Sequence, residues 1–390
     1  MKQKLALILA LCMLLGALAG CSSTEVRSFS EDAASDETDP FAPALDAYAP
    51  DTVVMTINGT EVHWNEYAYW LCNAADSLTT YVGDVEDWSA VYDEDTGETY
   101  ADLLDQMVLE NLTEYHVWES KAAEYEIAFD EEGETFVDDT VAQAIQSVAG
   151  EDGTEADLET YLKGYYVDLE VFRYQSRIQY LYNELFNKLF GEDGEKLSDA
   201  DLAAYIADNG YMTAKHILWS TAGDDGEALS DEAKAEKLQQ AQDAVRQLRA
   251  VEDPAEREAL FDTLMTEYSE DPGLASYPNG YCFSSGQMVE EFETACAALE
   301  DYAVSDPVES THGYHVILRL PTTADDVVQY DSDGKAYTLR YVAALDAFDT
   351  LSGAWVEEAE VVREPEFETM DYNAVFTPKQ SFWQKLFGTK

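Results

Sequence analysis

The sequence predicts an α+β fold in which a compact α+β segment interrupts a mainly α-helical domain. Apolar residues recur at helical spacing through much of residues 52–209. A β run, two helices and a closing strand then occupy residues 210–321, and one more amphipathic pattern lies within residues 322–370. A lone amphipathic helix cannot bury its apolar face by itself. We therefore expect this last helix to pack on the first helices and to make the helical domain discontinuous.

The charge balance excludes two classes of partner. The 390 residues include 80 Asp and Glu against 22 Lys and Arg, which gives a formal net charge of −58. Nucleic acid and anionic lipid are both held by clustered Lys and Arg, so we expect no nucleic-acid partner and no adsorption of the whole protein onto a bilayer. With 46% apolar and 12% aromatic residues, the chain can still build packed cores.

The first residues have the layout of an export signal. Lys2 and Lys4 form a short positive region, residues 5–15 are apolar, and Leu18-Ala19-Gly20-Cys21 follows. The apolar run is short for a transmembrane helix, and the last four residues resemble the bacterial lipobox. This resemblance implies that residues 1–20 are removed and that acylated Cys21 anchors the protein on the extracytoplasmic face of the cell membrane. The alternative is an ordinary secretory signal with a chance cysteine.

Cysteine usage indicates neither a disulfide framework nor a metal site. Beyond the signal and Cys21, the chain has Cys72, Cys282 and Cys296, an odd and sparse set for an exported protein. Cys282 and Cys296 are able to pair, but buried free thiols are the favoured interpretation. No His and Cys spacing is typical of zinc, so no metal is predicted.

The helical domain follows a flexible acidic tether over residues 21–51. Alternating residues broken by Asn58-Gly59 predict a β-hairpin. The helices are predicted from apolar stripes and from Ser or Thr caps with Asp three residues later. The first covers about 103–127, and the second covers 154–162 with Thr154 and Asp157 at its start. A long helix has Val171, Tyr174, Ile178, Leu181 and Leu185 on one stripe, and a further helix runs from Ser198 to Asn209.

The α+β segment begins at Gly210 and is predicted as a compact domain of ordinary size. Its elements are a β run over 214–219, an acidic loop over 222–230, a helix through Leu238, Ala241, Val245 and Leu248, a helix near 259–268, and a strand over 314–320. After Pro321 the final helix carries Tyr341, Leu345, Phe348 and Trp355 in step.

Four short motifs in this segment carry the functional prediction. They are Ala214-Lys215-His216-Ile217-Leu218, Tyr268-Ser269-Glu270-Asp271, Phe283-Ser284-Ser285-Gly286-Gln287-Met288 with Phe292, and Gly313-Tyr314-His315-Val316-Ile317-Leu318. Taken singly, a strand histidine, an Asp before Pro272-Gly273 and two apolar residues four apart are structural features. Taken in this order over residues 211–321, they resemble the parvulin-type peptidyl-prolyl isomerases.

The resemblance implies an FKBP-like α+β domain over residues 210–321 that isomerises X-Pro peptide bonds. It implies that His216 and His315 are paired central histidines beside Asp271. Met288 and Phe292 would form an apolar cup for proline, with Gln287 and Phe283 at its edge. His312 lines the pocket rim or faces solvent. The reaction makes and breaks no bond and only crosses the resonance barrier of the amide, so no cofactor is expected.

Two loops depart from the family pattern. Residues 277–283 lack the usual Leu that walls the pocket, which favours a catalytically degenerate domain as the alternative. Phosphate-directed parvulins place Arg and Lys after the first strand. Here residues 223–227 are Gly-Asp-Asp-Gly-Glu, so phosphoserine selectivity is excluded on charge grounds.

Residues 52–209 resemble the N-terminal chaperone region of the SurA and PrsA foldases. The resemblance implies unfolded exported polypeptides as partners, with Trp64, Tyr67, Tyr69 and Trp70 as an apolar cradle or as plain core. The predicted function is a lipid-anchored foldase. A holdase without isomerase activity is the alternative, and a solute-binding lipoprotein is disfavoured because two similar α/β lobes are missing.

The tail over 371–390 has basic and aromatic residues and is either a membrane-surface stretch or a frayed terminus.

Overall fold

A computed structural model of the protein describes residues 39–223, 226–331 and 334–377. The chain divides into two compact units, the first up to Leu189 and from Phe348 onward, and the second from Phe190 to Ala347. The predicted signal, Cys21, most of the tether and the end of the tail lie outside the described residues. Within the described residues, no helix combines the length and the apolar character that a membrane span requires.

The helices and strands of the described residues are numbered here in chain order. The helices are α1 (Trp64–Val82), α2 (Tyr100–Glu124), α3 (Glu131–Ala149), α4 (Glu155–Lys163), α5 (Leu169–Phe190), α6 (Asp199–Asn209), α7 (Asp231–Arg249), α8 (Pro254–Tyr268), α9 (Glu290–Ala297), α10 (Leu339–Glu357) and α11 (Tyr372–Val375). The strands are β1 (Val53–Ile57), β2 (Thr60–His63), β3 (Met212–Ser220), β4 (Tyr281–Phe283), β5 (Val308–Glu309), β6 (Gly313–Leu320), β7 (Val327–Tyr330), β8 (Ala336–Thr338) and β9 (Val361–Arg363). The 3-10 helices are Ala42–Asp46, Pro272–Ala275 and Pro365–Phe367. The predicted α+β class is confirmed.

The first unit contains a three-stranded antiparallel sheet in the order β2-β1-β9. The predicted hairpin joins β1 to β2, and both Asn58 and Gly59 have positive φ, as a tight hairpin turn requires. Strand β9 comes from the far end of the chain and pairs with β1, with Thr56 opposite Val362. Local sequence did not predict this third strand.

Caps set the ends of several helices. Thr99 caps α2 and Thr154 caps α4, each in a reciprocal capping box with an Asp three residues on. Ser198 caps α6, which ends at left-handed Gly210 as predicted. Helix α3 was not predicted, because its buried stripe consists of only four small or medium-sized residues, Gly133, Val137, Val141 and Ala144, among polar residues.

The four aromatic residues in the first turns of α1 are core, and the interpretation of them as a client cradle is wrong. Trp64 and Tyr67 are 0% exposed and Tyr69 and Trp70 are 4% exposed. Helix α2 and the 3-10 helix Ala42–Asp46 pack on α1 and cover these rings. The Trp64 indole donates a 2.9 Å hydrogen bond to the carbonyl oxygen of Ala44, so its polar atom is satisfied inside the core.

Residues of α10 from Phe348 onward pack in the first unit. The Phe348 ring is 0% exposed and its centroid lies 5.0 Å from that of Tyr182 on α5. Further along α10, Ser352 Oγ accepts a 2.7 Å hydrogen bond from the indole of Trp118 on α2.

The second unit is built on a four-stranded antiparallel sheet in the order β4-β3-β6-β5. Successive side chains of a strand point to opposite faces. One face packs against α7 and α8 through Ile217, Trp219, Val316 and Leu318, and the other packs against α9 through Ala214 and Ile317. The unit also contains α6 and the β7-β8 hairpin. Cys282 and Cys296 are buried free thiols here, and Cys72 is one in the first unit, as predicted.

Candidate active site

Two neighbouring strands place His216 and His315 on the same face of the second sheet. In the β3-β6 register His216 lies opposite Ile317, and Leu218 lies opposite His315. The two histidines are therefore diagonal neighbours, close enough for long side chains to meet. Both are buried, at 9% and 4% exposure. The structure thus brings the two predicted histidines together from positions 99 residues apart.

A hydrogen-bonded chain of side chains runs through this pair. His216 Nδ1 lies 3.1 Å from His315 Nδ1, and His216 Nε2 lies 3.1 Å from Asp271 Oδ2. At the other end, His315 Nε2 lies 2.7 Å from Ser310 Oγ. The Tyr281 hydroxyl donates a 2.6 Å hydrogen bond to the same Asp271 oxygen. The network therefore joins Asp271, predicted from sequence, to two residues that were not predicted.

The geometry restricts where the hydrogens lie. Asp271 is ionised, since burial would raise its pKa but hydrogen bonds from His216 and Tyr281 outweigh that effect and lower it to about 2. An ionised carboxylate only accepts, so His216 Nε2 carries a hydrogen. Burial and the neighbouring His216 lower the pKa of His315 to about 4, which leaves His315 neutral near pH 7. When both rings are neutral, His315 Nδ1 donates to His216 and Ser310 donates to His315.

Tyr281 reaches Asp271 because the nearby backbone leaves room for it. A Cβ atom on Gly273 would lie 2.1 Å from the Tyr281 hydroxyl oxygen, so only glycine fits there. Gly280 has a φ of +97° and passes close to the Ala214 carbonyl oxygen, which brings the Tyr281 backbone onto β3. The Tyr281 ring lies 5.6 Å from the His216 ring. Tyr281 therefore stands in the loop where the sequence analysis found the expected Leu missing.

Phe292 lies beneath both histidines. Its ring meets His216 and His315 edge to face, at centroid distances of 5.3 and 5.6 Å. Phe283 packs on Phe292 at 5.8 Å, and the two are 2% and 3% exposed. Met288 is half-buried against the same cluster.

The side chains of Gln287 and His312 are exposed and are not members of the hydrogen-bonded chain described above. Gln287 is exposed, and its Oε1 accepts a 2.7 Å hydrogen bond from the Ser284 amide in its own loop. His312 is exposed, and its backbone amide donates to Ser310 Oγ. No group of three His, Cys, Asp or Glu residues suited to a metal ion occurs in the described part of the chain.

The comparisons with known proteins agree with this geometry. Residues 216–320 match the family described as Rotamase, the PPIC-type PPIase domain. Residues 216–320 form a parvulin-type peptidyl-prolyl isomerase domain. The match begins at His216 and ends at the last residue of β6, so it contains every side chain of the network.

Several relatives of this chain are named as foldases. The foldase protein PrsA of Halalkalibacterium halodurans is 28% identical over 264 residues, which cover 63% of this chain and 67% of that one. PrsA of Oceanobacillus iheyensis is 37% identical over 136 residues, which cover 34% of this chain and 37% of that one. The crystal structure of PrsA from Bacillus subtilis matches at 21% identity and a TM-score of 0.26, covering 70% of this chain and 91% of that one. The resemblance to parvulins and PrsA foldases is confirmed.

Ser310 and Tyr281 were missed for different reasons. Ser310 lies five residues before His315, beyond the strand motif that drew attention, and β5 and the turn after it bring its hydroxyl back to the ring. A small hydroxyl residue a few positions before the second histidine was a usable signal for a hydrogen-bond partner of that ring. Tyr281 was noted only as a departure from the parvulin loop, and its bond to Asp271 depends on the fold.

Proposed function

We propose that this protein is a membrane-anchored extracytoplasmic foldase that isomerises X-Pro bonds in unfolded exported polypeptides. The observation that carries the proposal is the hydrogen-bonded chain Asp271-His216-His315-Ser310, with its two histidines buried above the Phe292 ring. His216, Asp271 and His315 are the proposed catalytic residues, and Met288 and Phe292 the apolar contacts for proline. Phe283 supports Phe292 from below. Gln287 and His312 line the approach, since both are exposed on neighbouring loops.

Rotation about the peptide bond needs a site that stabilises a twisted amide. In that state the nitrogen has lost its conjugation, and the barrier of about 18–20 kcal/mol reflects this loss. An apolar surface that takes the proline ring out of water favours the twisted form. The histidine pair orders the polar side of the site. Every hydrogen in the pair is already committed to a neighbour, so we assign neither ring as a proton donor to the substrate.

Charge near the site supports action on unphosphorylated clients. The ammonium of Lys237 is paired with Glu270, whose other oxygen accepts a 2.7 Å hydrogen bond from the Ser220 amide at the end of β3. Lys215 lies on the opposite face of β3 and is held by Glu258 and Asp262 at 2.8 and 2.7 Å. Neither cation is available to hold a phosphate, and the loop after β3 is acidic.

The anchor rests on the lipobox pattern at Cys21. Two acyl chains on one cysteine hold a protein stably on a bilayer, whereas one chain gives marginal binding. Incorporation of a labelled lipid precursor into the full chain, lost in Cys21→Ala, is the expected result. Equal labelling of the variant would refute the anchor.

A holdase with a degenerate parvulin domain is the second candidate. The burial of Phe283 and Phe292 favours it, because rings closed to solvent do not contact a proline ring unless the loop over residues 284–288 moves. The backbone amides of Gly286 and Met288 in that loop both donate to the Glu293 carboxylate, which fixes the loop in place.

Exchange NMR on a short unphosphorylated Ala-Pro peptide separates the two candidates. We expect the full chain to accelerate isomerisation, and His216→Ala or Asp271→Ala to lower the acceleration about tenfold or more. His63→Ala is the matched control, because His63 is a partly exposed histidine of the first unit. No acceleration by the full chain, with suppression of client aggregation intact, would establish the holdase. A strong preference for a phosphoserine-proline peptide would refute the proposed selectivity.

A further inference from the structure

A groove of about 360 Å³ runs along one side of the first unit. Its lining residues on α2 recur three and four apart and form one face of that helix: Asp102, Asp105, Gln106, Leu109, Glu110 and Thr113. Val356 of α10 and Val361 of β9 complete the lining. The lining thus combines half-buried apolar side chains, Leu109 and Val356, with exposed acidic ones, Asp102 and Glu110, and the volume is typical of ligand-binding clefts.

Strand β9 borders the groove and is the edge of its sheet. The Asn58 amide donates to the Glu360 carbonyl, and the Glu364 amide donates to the Val54 carbonyl. In an antiparallel pair such bonds occur at every second residue, so Val362 bonds β1. The N–H and C=O groups of Val361 and Arg363 therefore point away from β1. Val361 is 39% exposed and Val362 is 52% exposed, so this edge is both apolar and open.

The two faces of β9 differ in chemistry. Arg363 pairs with Asp105 of α2, so Arg363 and Val361 face α2 and the groove. Val362 points to the opposite face, with exposed Glu360 and Glu364 on either side of it. A strand added to β9 would lie about 4.8 Å beyond it. Every second side chain of that strand would face α2 and the groove, and the others would lie beside the two glutamates.

We propose that the open edge of β9 binds an extended client segment in which apolar residues alternate with Lys or Arg. Main-chain hydrogen bonds to Val361 and Arg363 would hold the segment, and the groove beside Leu109 and Val356 would select apolar side chains. Glu360 and Glu364 would select the basic ones by cross-strand pairing. The proposal deepens the proposed foldase function by naming where the first unit holds an unfolded chain. It does not depend on the parvulin site.

A fluorescein-labelled nonapeptide of alternating Lys and Val, without proline, is the probe. Its binding to the full chain in phosphatidylcholine nanodiscs is followed by fluorescence anisotropy. We expect saturable binding that weakens as salt rises. The same peptide N-methylated on each Val keeps its side chains but loses the hydrogen bonds to β9, and we expect it to bind at least about tenfold more weakly. Equal binding of both peptides would overturn the proposal.

Variants of β9 locate the site. Val361→Pro removes one outward N–H while leaving the bonds to β1, as an edge position allows, and we expect about fivefold weaker binding. Val361→Thr keeps the N–H and a β-branched side chain, so it should bind more tightly than Val361→Pro. A double variant, Glu360→Lys with Glu364→Lys, should prefer an alternating Glu and Val peptide, a change that unfolding does not produce. Unchanged preference would overturn the proposal.

Three further outcomes are decisive. Self-association of the full chain that Val361→Pro abolishes, without peptide binding, would assign the edge to a second copy and overturn the proposal. Isomerase activity is measured on the same samples with the Ala-Pro peptide. If Val361→Pro loses peptide binding but keeps isomerase activity, the proposal is supported and the parvulin function stands. If the native chain binds the probe but has no isomerase activity, the proposal is supported and the proposed isomerase function is refuted.

Discussion

The buried His315 makes the stability of the protein depend on pH between about 6.5 and 4. Burial and His216 lower the pKa of His315 from 6.5 to about 4 in the folded chain. In that interval the unfolded chain takes up a proton that the folded chain does not, so stability falls as the pH falls. Each pKa unit corresponds to about 1.4 kcal/mol, so the full effect amounts to roughly 3 kcal/mol. Below pH 4 His315 is protonated in both the folded and the unfolded chain, so it causes no further loss of stability.

The assay compares urea unfolding of the native chain and His315→Gln from pH 7 to pH 4. Glutamine keeps hydrogen-bonding atoms but does not titrate, so the native chain should lose roughly 3 kcal/mol more than the variant over this range. The many carboxylates contribute equally to both chains and cancel in the difference. His63→Gln, at a partly exposed histidine of the first unit, controls for the replacement of a histidine by glutamine elsewhere in the chain. Parallel curves for the native chain and His315→Gln would refute the reasoning.

Three other substitutions test the site and the cores. Tyr281→Phe removes a hydrogen-bond donor to Asp271, so the pKa of Asp271 should rise from about 2 and the acid limb of the pH–rate profile of isomerisation should move to higher pH. The lost hydrogen bond should also lower the free energy of unfolding in urea by about 1 kcal/mol. An acid limb at the same pH as in the native chain would contradict the role of Tyr281. Gly313→Ala should destabilise the protein by about 2 kcal/mol or more in urea unfolding, because φ is +143° and the new Cβ would lie 2.1 Å from the Trp219 carbonyl oxygen. Phe348→Ala should cost about 3–5 kcal/mol in the same assay, since the fully buried ring leaves a cavity beside Tyr182; a loss below 1 kcal/mol would mean that the site collapses freely.

Local signals in the sequence predicted much of the secondary structure. The Asn58-Gly59 turn, the Thr154 capping box and the end of α6 at Gly210 all depend on residues within a few positions of one another. Strands β3 and β6 were predicted because each contains a short apolar run, residues 217–219 in β3 and residues 316–318 in β6. Helix α3 was missed because its stripe is short and its surface is polar, so periodicity alone was weak there.

Features that depend on distant residues were not predictable in the same way. The pairing of β9 with β1 and the contact of Tyr281 with Asp271 require the folded chain. The four aromatic residues in the first turns of α1 are a second case in which distant residues decide the outcome. Their clustering suggested a binding surface, but only the packing of α2 decides that they are covered. The histidine pair was predicted because the motif order of a known family substituted for the missing three-dimensional information.

The bond between the Glu360 amide and Asn58 closes a loop of 302 residues, and this fixes the order in which the chain becomes able to fold. Residues emerge from the ribosome N-terminus first. All of the second unit, from Phe190 to Ala347, is present before β9 has been made. The first unit, although it begins the chain, must wait for its last strand and for the helical residues after Phe348. During that wait Trp64 of α1 lacks the Phe367 ring, which stacks on it at 6.0 Å in the folded chain, so a newly made chain passes through a stage in which it presents the kind of apolar surface that foldases bind.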